Sequence, residues 1–117
     1  MISIKGDEKA IRSLITILLD NAVKYTNERG RIDVTLGKKK NRIYLSVFNT
    51  TEYISKEQTS RLFDRFYRTD ISRNSQTGGY GLGLSIAAAT ADSHKGKIMA
   101  ETEDEKSLRI TVTFPGQ

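Results

Sequence analysis

From residue 8 to residue 27 the apolar positions Ile11, Leu14, Ile15, Leu18, Ala22 and Tyr25 recur at spacings of three and four. That is the period of a helix with one buried stripe. Asp7 stands where an N-cap belongs, and Gly30 lies just past the end. The period then drops to two. Ile32, Val34 and Leu36 alternate with Asp33 and Thr35, and Ile43, Leu45 and Val47 alternate with Tyr44, Ser46 and Phe48. Each run predicts a strand with one face on a core, and the basic stretch Gly37 to Arg42 reads as the solvated turn of a hairpin. A shorter strand-like run, Ile2-Ser3-Ile4-Lys5, follows Met1 directly, so the start reads as a boundary within a longer chain.

Periodicity is poor from Asn49 to Gly81, except for a helical stretch from Ser55 to Phe63 with Ser55 as N-cap and Glu57 or Gln58 in its first turn. Irregular segments of this length in compact domains are usually lids or binding loops. Leu82 to Lys95 is helix-like and rich in alanine, with Gly96 as a stop. Lys97 to Thr102 and the alternating Leu108, Ile110, Val112 and Phe114 form a second hairpin around Glu103-Asp104-Glu105. The order β-α-ββ-α-α-ββ predicts an α+β domain, with helices layered on one face of a mostly antiparallel sheet.

Composition narrows the chemistry. A chain of 117 residues supplies one core, so residues 1–117 are read as one domain. Apolar residues at 37% and charged residues at 28% belong to a folded, soluble globule. Nineteen basic and fourteen acidic side chains leave 19 − 14 = +5, which favours anionic partners without choosing among them. Zero Cys excludes disulfides, thiolate metal sites and a Cys nucleophile, and one His excludes His-rich metal sites, so any metal must be held by hard oxygen ligands. The run Leu14 to Leu19 is too short to span a bilayer, and no secretory signal precedes it, which points to the cytosol.

Three clusters carry candidate chemistry. Four of the nine glycines fall within Gly78-Gly79-Tyr80-Gly81-Leu82-Gly83, directly ahead of a helix. Glycine lets an anion approach the backbone, and the unpaired amides and positive dipole end of the helix complete a phosphate cradle. Alone, the run fits a flexible loop equally well. On the first helix, Asp20, Asn21, Lys24 and Tyr25 form a polar patch beside the apolar stripe. The Asn21 amide oxygen can ligate a hard cation such as Mg²⁺, and Lys24, one turn on, can meet phosphate as a point charge. The bland alternative is the frayed end of an amphipathic helix. In Leu62-Phe63-Asp64-Arg65-Phe66-Tyr67-Arg68 the aromatics would pin the base of the irregular segment, with Arg68 and Arg73 either reaching phosphates or remaining solvated.

Together these clusters resemble the catalytic ATP-binding domain of bacterial two-component sensor histidine kinases, in the superfamily shared with gyrase B-type ATPases and MutL. The likeness covers essentially the whole chain. Leu18 to Thr26 looks like the N box, Leu62 to Arg68 like the F box and Gly79 to Ser85 like the G2 box. The resemblance implies a Bergerat fold: a two-layer α/β sandwich, its mixed, mostly antiparallel sheet packed on three helices, with an ATP lid. It implies that ATP binds with Mg²⁺ and that the γ-phosphoryl goes to a histidine on a dimerisation domain absent from this chain. Asn21 would ligate Mg²⁺, Lys24 and Arg68 would contact phosphates with Arg73 nearby, Tyr25 would neighbour the nucleotide, and Gly79, Gly81 and Gly83, with Leu82 and Leu84 between them, would wrap the phosphates. Asp20 takes the place of an acidic residue that helps activate the acceptor imidazole. A response regulator would act downstream, the full protein would be a membrane-anchored homodimer with this domain in the cytoplasm, and the fragment alone would be monomeric.

Two places depart from the family pattern. Ile17 stands where a second metal-binding Asn is usual, which leaves Mg²⁺ fewer protein ligands and more waters. The G1 box appears as Asn49-Thr50-Thr51-Glu52-Tyr53-Ile54, its Asp replaced by Asn and both glycines lost. Asn49 continues the inward set Ile43, Leu45 and Val47, and its Oδ1 can still accept the adenine amino hydrogen. Thr51 and Tyr53 narrow the room near the base, where Tyr53 would either stack on adenine or fill the pocket, beside Ile54. The alternative is an interaction module that no longer binds ATP. His94 lies at a helix end with none of the surroundings of a phosphoacceptor, and a structural contact with the last carbonyls is expected. Nucleic-acid binding would need aromatics exposed among basic residues on a sheet face, and the pattern puts Phe63, Phe66 and Phe114 elsewhere.

Overall fold

The computed structural model describes residues 8–63 and 80–115. In chain order these form α1 (Glu8–Tyr25), β1 (Ile32–Lys39), β2 (Arg42–Thr50), α2 (Lys56–Arg61), α3 (Tyr80–Ser93), β3 (Lys97–Glu101) and β4 (Ser107–Pro115). The expected strand at residues 2–5 and the lid around residues 69–78 lie outside the described residues. The four described strands make one sheet in the order β1-β2-β4-β3, and every pairing is antiparallel. No helix among the described residues is long and apolar enough to cross a membrane.

The helix stripe does what its period predicts. Leu14, Leu18 and Ala22 on α1, with Leu84, Ala87 and Ala91 on α3, are buried in one cluster with Val47, Leu108, Ile110, Val112 and Phe114 of the sheet. The alanines Ala22, Ala87 and Ala91 carry no bulk beyond Cβ, so the two helices can lie close together over the sheet. The short α2 is fixed locally: Ser55 Oγ accepts from Gln58 N at 3.0 Å while Gln58 Oε1 accepts from Ser55 N at 2.8 Å. This reciprocal pair satisfies two donors that a helix start leaves open.

The first hairpin departs from expectation in two ways. Gly37 to Lys39 belong to β1, and the turn shrinks to Lys40 and Asn41, with Lys40 at φ 56°. Gly37 can sit inside the strand because its partner Tyr44 lays its ring where a Cβ would stand. Second, Val34 and Leu36 stay more than half exposed, although their cross-strand partners Val47 and Leu45 are buried and half-buried. The alternation is real, but β1 is an edge strand and the described helices pack over β2, β3 and β4.

Candidate nucleotide site

The polar patch of α1 is divided by burial. Asn21 is only 5% exposed, and its Oδ1 is buried with no hydrogen-bond partner among the described residues. Asp20 and Lys24 on either side are exposed, and Tyr25 is half-buried with its hydroxyl enclosed. Ile17, one turn before Asn21, packs against the core and offers no ligand. A buried amide oxygen without a partner is costly, so native structures rarely keep one without a use. A hard cation is one such use, because neutral amide oxygens are among the donors Mg²⁺ accepts.

The end of β2 lies against the end of α1. Asn49 is 1% exposed, as its place in the inward set predicts, and its Nδ2 donates to Thr50 O at 2.9 Å. The same carbonyl accepts from Asn27 N at 3.3 Å, just past the helix. The Thr50 hydroxyl donates to Asn27 Oδ1 at 2.7 Å and accepts from Arg31 N at 2.8 Å. Gly30 is enclosed by this knot: a Cβ there would run into side-chain oxygens of Thr26, Asn27 and Thr50. The sequence singles out only Gly30 of this knot, as the residue past the helix end, and gives no sign that Thr26, Asn27, Arg31 and Thr50 meet.

The rest of the altered motif splits. Thr51 and Ile54 are buried, and their amides donate to Lys106 O and Glu105 O, each at 2.9 Å. Tyr53 turns outward, 57% exposed, with its hydroxyl 3.4 Å from Glu105 Oε2. The Glu105 carboxylate disfavours the phenolate and raises the Tyr53 pKa. The structure thus leaves Tyr53 beside the β3–β4 turn and not among the buried side chains, because strand alternation ends at Thr50. That turn is tied by Asp104 Oδ1, which accepts from Lys106 N and Ser107 Oγ, and these bonds hold its carboxyl below the ordinary range.

α3 begins at Tyr80, two residues earlier than expected, so Gly81, Leu82 and Gly83 lie in its first turn and not in a loop. First-turn amides have no partner within a helix, so they still offer donors. Leu84 is buried in the core. Leu62 is buried and Phe63 packs on the core cluster. Gly79, Arg68 and Arg73 lie outside the described residues. His94 makes the structural contact expected of it: Thr90 O can only accept, so Nδ1–H donates to it at 2.8 Å, and the ring edge meets Phe114.

A two-layer α+β sandwich with this strand order, and with buried amides at the ends of its first helix and second strand, is a Bergerat-type ATPase fold. The chain belongs to the family described as histidine kinase-, DNA gyrase B- and HSP90-like ATPases, whose model matches residues 6–117. It is 41% identical over 114 residues to the sensor histidine kinase YkoH of Bacillus subtilis, covering 97% of this chain and 25% of that protein. It is 42% identical over 119 residues to the sensor protein CiaH of Streptococcus pneumoniae, covering 98% of this chain and 27% of that protein. The chain thus spans about a quarter of the length of the curated relatives it matches. Among solved structures it is similar to the nucleotide-free catalytic domain of histidine kinase ThkA, with a TM-score of 0.79 at 27% identity over 96% of this chain and 70% of that one. It is also similar to full-length ShkA in complex with AMPPNP, with a TM-score of 0.78 at 25% identity over 99% of this chain and 23% of that one.

Proposed function

We propose that this domain binds ATP with Mg²⁺ and passes the γ-phosphoryl group to a histidine on a separate dimerisation domain, as the catalytic part of a two-component sensor kinase. The observation that carries this reading is the buried Oδ1 of Asn21, without a partner among the described residues and held two turns beyond Leu14 on a helix anchored in the core. Asn21 Oδ1 would hold Mg²⁺, which when bound would supply positive charge to balance the triphosphate. The AMPPNP complex of the similar protein ShkA supports a nucleotide as ligand.

In this reading the chain's residues position groups and neutralise charge, and form no covalent bond with the phosphoryl group. Asn21 Oδ1 would be the protein's ligand to the metal, and Ile17, packed on the core, would add none. Lys24, Arg68 and Arg73 face phosphates, and the amides of Gly79, Gly81 and Gly83 line them, with Leu82 and Leu84 setting the helix start. Tyr25 flanks the nucleotide, and Asn49 Oδ1 accepts from the adenine amino group. Asp20 is exposed beside Asn21, where a carboxylate can take a proton from an imidazole brought by another domain. The intact protein is proposed to be a membrane-anchored homodimer that signals through a response regulator, with this domain in the cytoplasm.

Titration with a non-hydrolysable ATP analogue, with and without Mg²⁺, tests the reading. Saturable binding that Mg²⁺ strengthens is expected. Asn21→Ala should remove most of the Mg²⁺ dependence, whereas Asn49→Ala should weaken binding with and without the metal. The chain alone should not phosphorylate itself. Absence of saturable binding up to about millimolar concentration, the weak end of specific affinity, would identify an interaction module instead.

A further inference from the structure

Thr50 carries no chemistry that its place in the sequence announces, yet it makes hydrogen bonds in three directions. Its carbonyl accepts from Asn49 Nδ2 and from Asn27 N, and its hydroxyl donates to Asn27 Oδ1 and accepts from Arg31 N. Its amide donates to Arg31 O at 3.0 Å. One residue therefore ties the end of α1, the start of β1 and the Asn49 side chain together. The knot is full, because even a methyl group at Gly30 would collide with the oxygens of Thr26, Asn27 and Thr50.

The consequence lies in the asymmetry of an amide. A carboxylate at position 49 would present two acceptor oxygens, and its rotation would change little. An amide has one acceptor and one donor face, and which one meets a ligand depends on what holds the other. Here a carbonyl, which can only accept, fixes the Nδ2 side. One of the two Nδ2 protons is thereby committed, which fixes which side of the amide is oxygen and which is nitrogen, and no described group donates to Oδ1. We infer that Thr50 is a positioning residue for base selectivity: it holds the Asn49 amide in the orientation whose oxygen, rather than its remaining N–H, meets position 6 of a purine, which favours a 6-amino over a 6-oxo group. Released from that carbonyl, the amide can turn over and donate to a 6-oxo group, so discrimination falls even where overall binding survives. This inference rests on the nucleotide-binding reading above.

The test compares ADP with inosine diphosphate, which carries an oxo group where adenine has its amino group. Dissociation constants for both are measured on the full 117-residue chain, its Thr50→Val variant and its Thr50→Ser variant. Valine keeps the branched shape and the backbone bonds but loses the two hydroxyl bonds, to Asn27 Oδ1 and from Arg31 N, that help hold residue 50 in place, whereas serine keeps the oxygen. The preference for ADP should fall about threefold to tenfold in Thr50→Val, the worth of one net hydrogen bond, and return in Thr50→Ser. A purely structural role would lower the melting temperature and weaken both nucleotides alike, leaving their ratio unchanged. That unchanged ratio, or a serine variant no better than valine, overturns the inference. Asn27→Ala, which removes the acceptor of the Thr50 hydroxyl and leaves Thr50 itself intact, is measured alongside and decides by the same ratio if Thr50→Val does not fold. Failure of the parent chain to bind ADP at all would instead defeat the nucleotide reading, a result distinct from binding without selectivity.

Discussion

At the scale of single residues, Asn21 shows a conflict between stability and use. Its Oδ1 is buried without a partner among the described residues, so the ligand-free domain carries the desolvation cost of that oxygen with no hydrogen bond from them in return. Leucine has nearly the same branched outline and no polar atom. Asn21→Leu should therefore raise the stability of the ligand-free domain, by about 1 kcal/mol, while abolishing the Mg²⁺ dependence of nucleotide binding. Thermal denaturation without nucleotide, followed by the analogue titration, measures both halves. A destabilised variant would mean that the amide is satisfied in solution and that its burial reflects packing alone. The reverse holds for Asn49, whose amide nitrogen is committed to Thr50 O, so an apolar replacement there removes one of the two bonds that carbonyl accepts and should destabilise.

At the scale of elements, the same sequence pattern has two different outcomes. Ile32, Val34 and Leu36 alternate as cleanly as Leu108, Ile110 and Val112, yet β4 is buried at the centre of the sheet and β1 keeps Val34 and Leu36 open. Period tells which residues share a face, not whether another layer covers that face, and coverage depends on where α1 and α3 settle. Leu36→Ala should therefore change stability by no more than about 0.5 kcal/mol, whereas Leu108→Ala should cost about 2–5 kcal/mol. Urea denaturation midpoints compare the two, and equal losses would mean that β1 is covered in solution. The elements were legible where local chemistry decides them: the α1 stripe, the Ser55 cap and the His94 contact all follow from nearest neighbours along the chain. The length of β1 was not, because Gly37 stays in the strand only through Tyr44 across the ladder. The patch on α1 and the inward turn of Asn49 could likewise be read from spacing. The Thr50 knot could not, since it joins residues more than twenty positions apart that no period connects.

At the scale of the molecule, the excess of positive charge divides by distance. The tip of the first hairpin carries Lys38 and Lys39 at the end of β1 and Lys40 in the turn, three of the nineteen basic residues, all exposed. Strand rise is about 3.3 Å per residue, which sets that turn roughly 25 Å along β2 from Asn49 and Thr50. Charges at such a separation are screened at physiological salt and add little to the hold on a triphosphate. Their place suits a different role, since among the described residues β1 is an edge strand whose apolar Val34 and Leu36 stay exposed, and lysines on such an edge oppose strand pairing between molecules. Replacing them together, Lys38→Thr, Lys39→Thr and Lys40→Asn, with Asn chosen because position 40 has a φ of 56°, should leave nucleotide affinity within about twofold while promoting concentration-dependent association. Sedimentation velocity over a range of concentrations, with the analogue titration in parallel, separates the two roles. A large loss of affinity in a variant that stays monomeric would place this turn in the nucleotide site and overturn the division.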